Sequence, residues 1–229
     1  MTDPSQDKDA EDEAAATGEV DAPASAAPEG GAAPPQWQER DAWTALDDLD
    51  GSPTLVPASA WPAGAAGVDR PGLFAFWVDE AGAADLSRGL DLPLAAGRIY
   101  VGQAGATKWP SGRANEDTLG DRVGRTHLAG KVRGSAVRLA LAAVLLDRLG
   151  LVVQAAVLLQ ASSEEALSDW MRTHLSVAVH VHDDRDTLGG LEQAVVERLD
   201  PPLNLESHLP ATSVRQRVAV LRKRISREG

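Results

Sequence analysis

The residue best suited to chemistry in this 229-residue chain is a glutamate on the apolar side of a predicted helix over residues 187–199. At about 100° per residue, Glu192 falls inside the stripe that contains Leu188 and Val195, whereas Glu197 falls on the opposite side. A carboxylate in such a stripe is costly unless a cation accompanies it. The position of Glu192 therefore predicts either a buried ion pair or a metal site, whereas the position of Glu197 predicts neither.

The residues alone leave both hypotheses for Glu192 open. Three arginines, Arg98, Arg122 and Arg138, are available as ion-pair partners that would make the carboxylate structural. A divalent cation would make it functional, because Mg²⁺ commonly takes one or two carboxylates and completes its shell with water and substrate phosphate.

Alternation and periodicity predict the elements that must position Glu192. The predicted strands are residues 72–78, 98–101 and 176–182, and the predicted helices are residues 118–128, 135–149, 163–175, 187–199 and 212–225. Residues 79–97 are expected to form a loop with a short helix, and residues 151–160 fit a strand or a helix equally well.

Composition excludes several classes of protein and site. The chain has no cysteine, so disulfides and thiolate metal sites are excluded. No apolar run reaches the roughly 18 residues that a membrane span needs, and the N-terminus has no signal pattern. We therefore expect a cytoplasmic protein without a membrane partner.

The net charge of −12 is unevenly distributed. Residues 1–35 hold nine acidic side chains and one basic one, with almost no large apolar side chain, so this segment is predicted to be a disordered acidic tail. The tail either competes with nucleic acid or is an inert solubilising segment. Residues 215–229 hold six basic side chains and one acidic one, which fits phosphate contact or a solvated helix face.

Several motifs follow one another in an order that resembles the GIY-YIG nuclease family over about residues 70–206. These are Gly72-Leu73-Phe74, Tyr100-Val101-Gly102, a helix with Arg122 and His127, a later helix with Glu192, and Asn204 after Pro201-Pro202. The spacing of Glu192 and Asn204 is similar to that of the excision-repair incision members of this family.

The resemblance implies an α+β fold with a small antiparallel three-stranded sheet flanked by helices. It also implies one divalent ion, Mg²⁺ or Mn²⁺, at Glu192. Tyr100 would orient or deprotonate the attacking water, and Arg122 would stabilise charge on the phosphate. His127 would be a second acid/base or a capping residue, and Asn204 would help organise the site or hold its turn.

Two features depart from the family pattern. The first motif ends in Phe74 where the family has tyrosine, which removes a hydroxyl from the expected site. Residues 79–97 and 135–160 are longer than the pattern requires. The expected division is a tail over 1–35, a helix and connector over 36–70, the nuclease-like domain over 71–206 and a basic helix over 207–229.

Other functions fit the sequence less well. His180 and His182 share one face of a strand, as two zinc ligands would, but only His208 follows them. The glycine-rich segment 102–112 lacks the Gly-Lys-Ser/Thr of a phosphate-binding loop. The expected function is metal-dependent endonuclease cleavage of nucleic acid, with DNA as substrate. The alternative is a catalytically weakened binding or interaction module of the same fold.

Overall fold

The computed structural model describes residues 33, 35–51, 53–155, 157–206 and 208–227. The predicted acidic tail lies outside the described residues except for residues 33 and 35, so neither hypothesis about it is tested.

An antiparallel sheet with strand order β1-β6-β2-β3 lies at the centre of the described residues. Its strands are β1 (Val56–Pro57), β2 (Gly72–Val78), β3 (Gly97–Ala104) and β6 (Leu175–Val181). The predicted α+β fold is confirmed, and the short strand β1 adds a fourth member to the three predicted strands. A separate hairpin of β4 (Val153–Ala155) and β5 (Leu158–Leu159) occupies the segment that sequence left ambiguous.

Helices cover both faces of this sheet. They are α1 (Glu39–Leu46), α2 (Glu80–Leu90), α3 (Ala136–Leu145), α4 (Ala161–His174), α5 (Arg185–Leu199) and α6 (Ser213–Arg227). In the described part of the chain, each helix is too short or too polar to cross a lipid bilayer.

The central strand β2 is buried on both faces, which explains its nearly unbroken apolar sequence. Phe74 and Phe76 belong to the larger hydrophobic cluster, which α2, α3, α4 and α6 complete. Leu73 and Ala75 belong to a second cluster, in which the apolar stripes of α1 and α5 pack. Because β3 is an edge strand, helices on either face can present side chains beside it.

The predicted α-helix over residues 118–128 is instead a π-type helix over Asp121–Leu128. Its five-residue hydrogen-bond spacing is seen where Ala129 N–H donates to the Gly124 carbonyl at 2.9 Å. His127 and Val123 lie four residues apart on this helix, so they share a face, and both are buried.

An ion pair inside the larger cluster connects α3 to α4. Arg138 is fully buried, and its guanidinium donates to the Glu164 carboxylate at 2.8 Å and to the His127 carbonyl at 3.0 Å. The other Glu164 oxygen accepts from the Val132 amide at 2.9 Å. Arg138 is therefore committed to the core and is not the partner of Glu192.

We expect Glu164→Gln to lower the free energy of unfolding by about 3 kcal/mol, because it leaves the Arg138 charge buried without its counter-charge. Urea denaturation at neutral pH measures the change. The control is Glu165→Gln, an exposed neighbour on the same helix, whose effect should stay within about 0.5 kcal/mol. Equal effects of the two substitutions would contradict the structural importance of this ion pair.

Candidate active site

The phenol of Tyr100 lies on the edge strand β3 among other aromatic rings. The ring centroids of Phe74, Phe76 and His127 lie 6.3, 6.5 and 6.4 Å from that of Tyr100. Gly102 makes this packing possible, since a Cβ there would come within 2.8 Å of Phe74 Cζ and 3.0 Å of Tyr100 Cε1. The glycine of the Tyr-Val-Gly motif thus leaves room for the two rings that cover it.

Glu192 lies on α5 with a partly buried side chain, as the helical phase predicts, whereas Glu197 is exposed. No hydrogen bond or ion pair joins the Glu192 carboxylate to another described residue. The pKa of Glu192 is raised to about 8, first by burial and then by the charge of Glu206, with Arg122 acting in the opposite direction. A substantial fraction of this carboxyl therefore keeps its proton at neutral pH until a cation approaches it.

The ion-pair hypothesis for Glu192 fails for each of the three arginines. Arg98 pairs with Asp50 and donates to the Leu199 carbonyl at 2.8 Å, and Arg138 pairs with Glu164. Arg122 has only a loose pair with Asp117, at 3.9 Å. The structure therefore leaves the Glu192 carboxylate without a bonded cation among the described residues.

Arg122 is accessible to solvent, and its charge affects the pKa of two candidate site residues. Its side chain is 38% exposed, and its charge acts to lower the pKa of both Tyr100 and Glu192. It also lines a cleft of about 420 Å³, which we call the Arg122 cleft; the other lining residues are Gln103, Lys108, Arg113, Ala114, Asn115, Glu116 and Asp117. The guanidinium thus lines an open cleft, and its charge also acts on the phenol and the carboxylate.

The charges of Glu192 and Arg122 both act on the pKa of Tyr100. The pKa of Tyr100 is raised above its ordinary value, first by burial and then by the charges of Glu192 and Glu206. The phenol is therefore protonated at neutral pH, and it can donate a hydrogen bond or hold a water molecule.

Asn204 is fully buried and binds the backbone of β3. Its Oδ1 accepts from the Val101 amide at 2.9 Å, and its Nδ2 donates to the Val101 carbonyl at 2.9 Å. Nδ2 also donates to Glu206 Oε1 at 3.0 Å. This geometry favours a positioning role next to Tyr100 over direct contact with a phosphate.

His127 lies beside the site but inside the core, with 2% of its surface exposed. Its Nδ1 lies 2.7 Å from Ser135 Oγ, and its Nε2 is buried without a hydrogen-bond partner in the described residues. Its pKa is lowered to about 3, first by burial and then by Arg122 and Arg138. The neutral imidazole thus resembles a packing group more than the acid/base that sequence left open.

Sequence reasoning missed Glu206 as a member of the site and placed Arg222 only in a basic helix. Glu206 acts on the pKa of Tyr100 and of Glu192, and Arg222 acts on that of Tyr100. The phase of α6 does place Arg222 on the buried side of that helix, so a signal existed. Glu206 carries no such signal, since it follows α5 in an irregular turn.

The two histidines of the zinc hypothesis have other partners. His180 Nδ1 lies 2.8 Å from Asp48 Oδ2, and His182 Nε2 lies 2.8 Å from Thr187 Oγ1. Within the described ranges, no group of three or more histidine, aspartate or glutamate side chains could hold a metal ion alone.

Comparison with known proteins gives one match. A family model described as the GIY-YIG catalytic domain matches residues 95–224, which is more than half of the chain. The matched range contains β3, the π-type helix, α5 and α6, whereas β2 precedes it. No curated protein and no solved structure matches the chain.

We expect Glu192→Gln to be more stable than the wild type at high pH. Between the ordinary pKa of 4.5 and the raised value of about 8, the native protein holds a proton that the unfolded chain has released, so wild-type stability falls as pH rises. The substitution removes this loss, with a gain of roughly 2–4 kcal/mol at pH 9, because one pKa unit corresponds to about 1.4 kcal/mol.

Urea denaturation in EDTA at pH 5, 7 and 9 measures this difference, which should shrink toward pH 5. Glu197→Gln is the matched control, since Glu197 is exposed on the same helix. Parallel pH profiles for Glu192→Gln and the wild type would show that the Glu192 carboxyl is not desolvated.

Proposed function

Because this chain belongs to the GIY-YIG family, we propose that it is a metal-dependent endonuclease that hydrolyses nucleic-acid phosphodiester bonds. The observation that carries the proposal is the Glu192 carboxylate, which is partly buried, unpaired among the described residues and coupled to Tyr100 and Arg122. A structural ion pair would instead join this carboxylate to a cation of the chain.

The donor set fits a hard divalent cation. Glu192 offers carboxylate oxygens, and the charge of Glu206 nearby adds to the negative potential. Oxygen ligands of this kind suit Mg²⁺ or Mn²⁺, with water and a substrate phosphate as further ligands. When bound at Glu192, such an ion would offset the charge of the carboxylates and the phosphate and would lower the pKa of the neighbouring phenol.

Tyr100 is the residue that we propose orients the attacking water. Its phenol keeps its proton at neutral pH, so it acts as a hydrogen-bond partner that fixes the position of a water molecule. Deprotonation of that water by Tyr100 would need the pKa of the phenol to fall first. Among the residues of the chain, Arg122 and Arg222 act in that direction.

Arg122 is the residue that we propose contacts the reacting phosphate. Its pair with Asp117 is loose, at 3.9 Å, so the guanidinium can exchange this partner for an anion in the Arg122 cleft. The planar guanidinium can donate two hydrogen bonds to one phosphate and so stabilise charge that develops on its oxygens. Lys108 and Arg113 add positive charge to the same cleft.

Asn204 has a supporting role in this proposal. Its carboxamide fixes the backbone of Val101, the residue directly after Tyr100, and so limits movement of the phenol. His127 packs against Tyr100, with ring centroids 6.4 Å apart, and has no assigned step.

We propose DNA as the substrate, because the spacing from Glu192 to Asn204 and the Pro201-Pro202 pair are similar to those of excision-repair incision nucleases. The cytoplasm is the expected compartment. The alternative function, a binding module with weakened catalysis, is favoured by Phe74, whose buried ring supplies no hydroxyl to the site.

We expect the purified protein to nick supercoiled plasmid DNA in the presence of Mn²⁺ or Mg²⁺, and Glu192→Ala to abolish nicking. The matched control is Glu197→Ala, which removes an exposed carboxylate from the same helix and should cleave like the wild type. Gel electrophoresis of time courses measures both rates. Equal nicking by the wild type and Glu192→Ala would refute a role for Glu192 in cleavage. If both proteins bind DNA and neither cleaves it, the binding-module alternative is supported.

We expect Tyr100→Phe to reduce the single-turnover cleavage rate by about 10²-fold, since a positioned hydroxyl at a reacting centre contributes on this scale. The ring and its packing against Phe74 and Phe76 are retained, so thermal unfolding should change little. A cleavage rate equal to that of the wild type would reduce Tyr100 to a packing residue.

A further inference from the structure

The last helix, α6, carries two arginines on its buried side. The core face of α6 is formed by Val218, Leu221 and Ile225. At about 100° per residue, Arg215 and Arg222 lie roughly 60° and 40° from Val218, so both charges fall inside this face. A charge in such a position needs a partner, as Glu192 does on α5.

Arg215 has its partners within the protein. Its guanidinium donates to the Asn204 carbonyl at 2.9 Å, to the Pro210 carbonyl at 2.8 Å and to the Pro201 carbonyl at 3.0 Å. It also pairs with Asp200 at 2.6 Å. Arg215 therefore connects α6 to the turn that carries Asn204, and its guanidinium is paired with acceptors of the protein.

Arg222, two turns further along, is partly buried but has no such partners. Its guanidinium makes no hydrogen bond or ion pair with another described residue, and its nitrogen atoms are not sealed from solvent. Burial lowers its pKa, while the nearby Tyr100 and Glu206 act to raise it. The chain thus holds a partly desolvated cation on the core side of α6 without giving it a hydrogen-bond acceptor among the described residues.

We propose that Arg222, on the core side of α6, binds a phosphate of the substrate in addition to the phosphate that Arg122 contacts. This inference rests on the proposed function, because it assigns a phosphate ligand to the same site. A phosphate oxygen would supply the acceptors that Arg222 lacks, and an arginine held by a helix on its core side is already oriented for them.

The other cations of α6 differ from Arg222 in their surroundings. Arg217 donates to the Leu90 carbonyl at 3.1 Å, and Arg224 pairs with Asp147 at 3.2 Å. Lys223 and Arg227 are exposed. A general attraction between a basic helix and nucleic acid would involve Lys223 at least as much as Arg222. Comparing substitutions at these two neighbouring residues therefore distinguishes a specific phosphate contact from an effect of the overall charge of the helix.

The test compares Arg222→Met and Arg222→Lys with the matched control Lys223→Met. Binding of a fluorescein-labelled DNA duplex is followed by anisotropy in EDTA over a series of salt concentrations. We expect Arg222→Met to weaken binding roughly 10-fold and to reduce the slope of log K against log salt by about 0.9, the value for one lost phosphate contact. Arg222→Lys should retain part of the affinity, and Lys223→Met should match the wild type.

A second measurement excludes a structural origin of the effect. Removal of an unpaired, partly buried charge should leave the melting temperature of Arg222→Met equal to or above that of the wild type. Weaker binding with retained stability supports the inference. A fall in melting temperature for both Arg222 variants would overturn it, because Arg222 would then be a structural residue.

Two further outcomes would also overturn it: unchanged binding by Arg222→Met, or an equal loss by Arg222→Met and Lys223→Met. Failure of the proposed function can be distinguished from failure of the Arg222 inference. If the wild type cleaves no plasmid with Mn²⁺ or Mg²⁺, the nuclease proposal falls, whereas the duplex titrations still decide whether Arg222 binds a phosphate.

Discussion

A carboxylate that the protein leaves without a counter-ion sets the electrostatics of the whole site. Glu192 projects from the apolar side of α5, where burial and the neighbouring Glu206 penalise its charge. That penalty is tolerable only because α5 is held on the sheet by Leu188, Leu191 and Val195, which are fully buried. The stability of the second hydrophobic cluster thus maintains an electrostatically unfavourable carboxyl in a fixed position.

Five arginines that the sequence or the structure brings into question for this site fall into two groups. Arg98, Arg138 and Arg215 donate hydrogen bonds to protein acceptors, and each connects separate elements of the fold. Arg122 and Arg222 are coupled to the site and have few or no protein acceptors among the described residues. The first group connects elements of the fold, whereas the second group keeps guanidinium groups that a substrate phosphate could contact.

Hydrophobic periodicity in the sequence alone predicts many of the strands and helices that position the site. The apolar run of β2, the alternation of β6 and the phase of α5 each reflect burial by neighbouring layers, so local patterns located these elements and the inward position of Glu192. The burial of His127 was harder to predict, because it depends on packing against aromatic rings of β2 and β3, which leaves no mark on the local sequence. Asn204 likewise depends on a tertiary partner, the Val101 backbone, more than a hundred residues away. Glu206 joined the site for the same reason, since only the fold brings its turn to β3.

The hydrogen bonds of Asn204 also occupy backbone groups on the outer edge of the edge strand β3. An edge strand normally offers unpaired amide and carbonyl groups on which another polypeptide can add a strand. On β3, Asn204 occupies both the donor and the acceptor of Val101, and the Leu203 amide occupies the Ile99 carbonyl at 3.0 Å. The turn that steadies Tyr100 therefore also shields this margin from edge-to-edge aggregation, and the protein can keep reactive groups at the rim of a sheet without offering a template for polymerisation.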